Sequence, residues 1–309
     1  RRHTRFRNVT GVQTCALPIS RFAALLILPL AAVMLLAMAA NGVSHPSAHL
    51  AWLGWALVFA VHLRVLQMQP DGADENAGWP TALTWLHAAG FWLLTVVLSW
   101  EVAWQIDDFV EGRRVWPLVA YAIVPGALMA LLAARGPRLG WPVAAYPRAY
   151  LYLGALPIAV FLLGWIVLVN LISNGNPAPL PYVPLINPLD LAQFGALLAI
   201  VVWYLHLKRS STSGMDMTLP DTTMAWRIFG VVMFIALNGV LLRTLHHYGG
   251  VPFRLHSLMH STLVQAALAL FWSLLALASM FFANKRGLRA LWRSEEHTSE
   301  LQSRFGISY

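Results

Sequence analysis

Eight apolar runs separated by short polar links set the pattern of this chain, at residues 22–40, 50–66, 82–106, 115–134, 149–172, 188–207, 224–246 and 258–283. A helix needs about 20 apolar residues to cross a bilayer, and each run is near that length. The pattern predicts an all-α integral membrane protein, a polytopic bundle of about eight transmembrane helices. Pro125-Gly126 in the fourth run and Pro157 in the fifth predict kinks, because proline removes a helical hydrogen bond and crowds the preceding turn. The stretch 174–187, NGNPAPLPYVPLIN, has no charge and four prolines. It is expected to be a folded, non-helical connection at the membrane interface.

Composition agrees with this pattern. Charged residues are 11% of the chain against about 25% in a soluble domain, and hydrophobic residues are 58%. The 14 Trp residues suit membrane interfaces. Both ends have a different character. Arg293 to Ser303, RSEEHTSELQS, reads as the in-frame translation of a common sequencing-library adapter. Val9 to Ser20, VTGVQTCALPIS, reads as a frame of its reverse complement. Residues 1–20 and 293–309 are therefore expected to be adapter-derived rather than native, leaving 21–292 as the polytopic domain. On that reading Cys15 is set aside, and thiolate-metal and disulfide chemistry with it. Basic residues fall from 21 to 15 and acidic residues from 13 to 10, so the +8 balance becomes +5. That excess is spread over loops, as membrane topology requires, and it excludes a nucleic-acid partner.

Loop charge sets the expected orientation. With the start of the first span inside, the inner side collects Arg21, Arg64, Arg135, Arg138, Arg148, Lys208, Arg209, Arg227, Lys285, Arg286 and Arg289. The outer side holds Arg113, Arg114, Arg243 and Arg254. A bacterial inner-membrane protein with both fragment ends cytoplasmic is the expectation.

Candidate chemistry concentrates at 241–265, where two apolar runs meet through a Gly-Gly turn. Arg243, His246 and His247 stand at i, i+3 and i+4, and His256 and His260 at i and i+4, so each set shares a helical face. Arg254 lies in the turn, and Gln265 follows His260 on another face. Three readings fit: interfacial side chains reaching toward headgroups, an anion site with arginine as fork donor, or a metal site. No metal is assigned, and the sequence identifies no cofactor. Glu101, near the outer end of the third span with Gln105 one turn on, reads as a partner of Arg243, a general base or proton relay, or a hydrated interfacial group. Trp100 and Trp104 read as an aromatic belt or a sugar-stacking platform. In Asn187-Pro188-Leu189-Asp190, Asn187 is a good N-cap, Pro188 suits the first helical position, and Asp190 can bond back and favours the helix dipole. Asp190 is also a candidate base. His62, His87 and His206 are single histidines on apolar spans and read as packing residues.

The segment INPLDLAQF (186–194) and the block 238–292 resemble bacterial multi-pass proteins of the domain-of-unknown-function family 2339. The resemblance is strong over the last third of the chain and rests on hydropathy elsewhere. It implies a helical inner-membrane protein and marks Asn187, Asp190, Arg243, His246 and Gln265, without implying an activity. The functional expectation is a protein handling a lipid-linked or envelope polysaccharide substrate at the periplasmic face. Glu101, Asp190 and His246 would be its catalytic groups. Arg243, His247, Arg254, His256, His260 and Gln265 would be its binding groups. The lipid bilayer and an anionic headgroup or lipid-linked substrate are the expected partners. The alternatives are a proton-coupled transporter or flippase, and a non-catalytic membrane scaffold.

Overall fold

A computed structural model describes residues 13–69, 79–110, 115–211 and 219–285. The outer arginines Arg113 and Arg114, the inner Arg286 and Arg289, and most of the adapter-like residues lie outside these segments. Among the described residues there are helices and turns but no strands. The helices are α1 (Gln13–Ala40), α2 (Ala51–Gln67), α3 (Trp79–Phe109), α4 (Trp116–Arg135), α5 (Ala155–Ile172), α6 (Pro188–Ser211), α7 (Thr222–Gly249), α8 (Leu255–His260) and α9 (Thr262–Lys285). Eight helical stretches within them are long and apolar enough to cross a membrane. They coincide with the eight apolar runs, so the chain is an all-α polytopic membrane protein.

The chain divides into two compact units at Gly239. The first unit has two apolar clusters. Ala24, Leu28, Ala31 and Leu35 of α1 pack with Trp55 and Leu66 of α2 and with Leu83, Leu86 and Val97 of α3. The larger cluster joins α4, α5, α6 and the start of α7 through residues such as Met129, Leu162, Leu197 and Ala236, all fully buried. Small residues let α4 and α6 approach closely, the usual basis of helix association in lipid. A Cβ placed on Gly126 would stand 3.9 Å from both Ala196 and Ala199.

Two proline expectations resolve differently. α4 runs through Pro125 as one helix. The fifth span opens with seven residues of π-helix, Arg148–Gly154, and becomes α-helical at Ala155, with Pro157 in the first α-turn. The wider π turns fall where the proline would clash with a regular α-helix behind it.

The second unit holds the end of α7 and all of α8 and α9. Here the structure corrects the sequence reading, which drew one helix over 258–283. The helix breaks at Ser261, whose backbone is extended at φ −80°, ψ 120°. The Ser261 hydroxyl accepts the Val264 N–H at 3.4 Å, the third amide of α9, which is what an N-cap serine does.

Candidate functional site

The first unit contains an apolar groove of about 760 Å³ walled by α4 and α6. That volume lies in the range of small-molecule sites. Its lining runs from Trp116 to Ala130 on α4 and from Pro188 to Val202 on α6. At 1.5 Å per residue each wall is about 21 Å long, roughly two-thirds of a bilayer's hydrocarbon core. Ala122, Gly126, Ala127, Gly195, Ala196 and Ala199 keep it open, and no charged side chain lines it. Leu180, Pro181, Val183 and Ile186, from the proline-rich connection, form its mouth.

That connection is folded, as its composition predicts, and side chains fix it on both walls. The Trp116 indole N–H of α4 donates to the Ala178 carbonyl at 2.9 Å. Asn187 accepts the Leu189 N–H at 2.8 Å through Oδ1 and donates through Nδ2 to the Gly175 carbonyl. Asp190 accepts the Leu185 N–H at 3.2 Å, and Leu185 sits at φ +68°. Asn187 is therefore the N-cap it was expected to be. Asp190 bonds to the backbone beyond the cap and is fully buried. Below them Asn170 of α5 donates to Gln193 of α6, and both are buried. This buried polar layer lies where the proline-rich connection meets the start of α6.

Glu101 is held by groups of the first unit. Its Oε2 accepts the Ser47 backbone N–H at 3.0 Å and stands 3.1 Å from His45 Nδ1, while Oε1 accepts from Gln105 at 2.9 Å. The His45 ring lies flat on the Trp104 indole, centroids 3.6 Å apart and planes 13° from parallel. Trp100 donates to the Ser44 carbonyl at 3.1 Å, and Trp55 to the Pro46 carbonyl at 3.1 Å. The two tryptophans of α3 thus hold the link between α1 and α2. Sequence reasoning passed over His45. Its only signal was a histidine in a short polar link facing a span that ends in Trp-Glu-x-x-Trp.

A second cluster lies at the other end of α3. His62 of α2 and His87 of α3 are buried, at 2% and 1% exposure. His87 Nδ1 pairs with the Tyr150 hydroxyl at 3.0 Å, and its ring stacks on Tyr146 at 4.1 Å. His62 presses Nε2 toward Gly90, one turn along α3 from His87. Further along, α3 buries Thr95 and Ser99, which line a 410 Å³ cavity bounded by Pro125 and Pro157.

In the second unit the histidines pair within their own helices. His246 and His247 rings meet edge-on at 4.8 Å, and His256 and His260 lie 4.4 Å apart. His246 Nδ1 donates to the Val251 carbonyl at 2.7 Å, across the turn that Gly250 makes at φ +68°. Gln265 reaches back to the Met259 carbonyl at 2.9 Å. Arg243 is fully buried, whereas Arg254, His256, His260 and Gln265 are exposed. Among the described residues, no group of three or more His, Cys, Asp or Glu side chains is placed to hold a metal ion.

A family model described as a predicted membrane protein, DUF2339, matches residues 9–294. No curated protein and no solved structure matches the chain.

Proposed function

The chain belongs to the DUF2339 family of predicted membrane proteins, and from that premise we propose that it binds a lipid-linked molecule of the bacterial envelope, tail in the α4–α6 groove and headgroup at the periplasmic face. The observation that carries this reading is the groove itself. It is long, free of charge, walled by two helices long and apolar enough to cross a membrane, and lined at one end by an uncharged loop. A hydrocarbon chain gains little by leaving one apolar medium for another, so close packing against small residues must select it. Ala and Gly on both walls permit that packing. The headgroup would meet the Asn- and Pro-rich loop. Taken by itself, the second unit exposes Arg254, His256 and His260, cationic and hydrogen-bonding groups of the kind that meet anionic headgroups at a membrane surface.

The test uses the groove's own geometry. A Cβ on Gly195 meets nothing within 4 Å, so Gly195→Leu grows into the groove without displacing the helices. Native mass spectrometry of protein purified in mild detergent should show a bound lipid on the wild type and a loss of at least fivefold in occupancy on Gly195→Leu. Equal occupancy in both proteins rejects the groove as a lipid site. Capture of a second polypeptide there, in place of lipid, would make it a helix-docking face.

A transporter is the second reading, favoured by the buried line of His87, Thr95 and Ser99 on α3 and the cavity at the two prolines. Proton-dependent flux through reconstituted vesicles, lost in His87→Phe, would support it over lipid binding alone.

A further inference from the structure

We propose that His45 and Glu101 form a hydroxyl-binding dyad, in which His45 Nε2 accepts a hydrogen bond from a hydroxyl-bearing headgroup and Glu101 is the positioning group. The hydroxyl's source rests on the lipid reading above; the dyad's own chemistry does not.

The argument starts from hydrogen-bond supply. A carboxylate can only accept. Glu101 receives the Ser47 N–H and a Gln105 amide hydrogen, and its third partner is His45 Nδ1 at 3.1 Å. Nδ1 must therefore carry the hydrogen. In the neutral ring this leaves the lone pair on Nε2. The carboxylate is itself held by two other donors, so the imidazole cannot turn it aside. The flat stack on Trp104 fixes the ring plane. Side-chain exposure of 15% for His45 and 17% for Glu101 leaves the pair sheltered but reachable. His45 lies in the link between two membrane spans, where a headgroup and water meet.

No covalent bond is made or broken. The hydroxyl donates a hydrogen bond to the Nε2 lone pair, and the Glu101 carboxylate on the Nδ1–H makes that lone pair a stronger acceptor. On this proposal Glu101 orients the ring, and the accepting atom lies on a residue 56 positions away in sequence.

A purely structural pin would use the same contacts to hold the link on α3, so the test must read the ring itself. Histidine-selective ¹⁵N NMR in lipid nanodiscs reports which ring nitrogen carries hydrogen. His45 should show protonated Nδ1 and a bare, pyridine-type Nε2. Glu101→Leu should move the hydrogen to Nε2. Nanodiscs of phosphatidylglycerol, whose headgroup has hydroxyls, should shift the His45 Nε2 resonance relative to phosphatidylcholine, which has none. A hydrogen on Nε2 in the wild type overturns the dyad, and that measurement depends on no variant folding. Identical Nε2 resonances in the two lipids overturn the hydroxyl-headgroup assignment. Lipid occupancy by mass spectrometry on the same wild-type sample reads the groove separately, so the two proposals fail independently.

Discussion

At the scale of single residues, close approach decides more than charge. His62 reaches α3 only because position 90 lacks a side chain: a Cβ there would stand 2.6 Å from His62 Nε2. Real contacts are never that short, so Gly90→Ala must push the imidazole or the helix aside. Overpacking of this kind costs about 1–3 kcal/mol. The unfolding midpoint in detergent should fall accordingly, and in a His62→Ala background the same substitution should cost under about 0.5 kcal/mol. An unchanged cost in both backgrounds would separate Gly90 from His62. The pairing was not legible in the sequence, where both histidines read as isolated packing residues. Residues 62 and 87 come together only through the packing of α2 on α3. The same holds for Glu101 and His45. The intramembrane carboxylate was visible as a costly group needing a partner, but the partner is set by tertiary packing rather than by spacing. By contrast the cap role of Asn187 was readable, because an N-cap is a local device, whereas its bond to the Gly175 carbonyl was not.

Among the elements, the eight spans and the unhelical 173–187 connection could be read from apolar period, proline content and length. The break at Ser261 was missed. The hydrophobic pattern runs through it, although a serine ahead of an apolar run is a helix-start signal. The π-helical opening at Arg148–Gly154 leaves no mark in the pattern, since the side chains remain apolar. The connection 173–187 depends most on one residue. Asn187→Ala removes the cap on Leu189 N–H and the bond to the Gly175 carbonyl together. A lost cap costs about 0.5–2 kcal/mol. We expect a stability loss near the top of that range, and faster proteolysis within 173–187, measured by limited digestion. Asn187→Asp keeps the acceptor and should recover the cap but not the Gly175 bond. Equal loss in both variants would show that the cap contributes nothing.

For the whole molecule, the orientation rests on the bias of basic residues toward one side. On that expectation Ser44, in the link between α1 and α2, would face the periplasm, and the exposed Leu139, in the connection after α4, the cytoplasm. In a background lacking Cys15, a membrane-impermeant maleimide applied to intact spheroplasts should label Ser44→Cys and spare Leu139→Cys until the membrane is opened. The reverse pattern would invert every assignment of face made above, the dyad's included. The anchored loop at the groove bears on how the groove would be filled. Trp116 ties the connection to α4, and Asn187 and Asp190 tie it to α6, so the loop at that end is held by hydrogen bonds to both walls. On the proposal that the groove takes a lipid, the occupant would arrive sideways between the helices, by diffusion within the leaflet. Its rate of loading would then follow the two-dimensional density of that lipid in the membrane rather than the amount dissolved in the surrounding water.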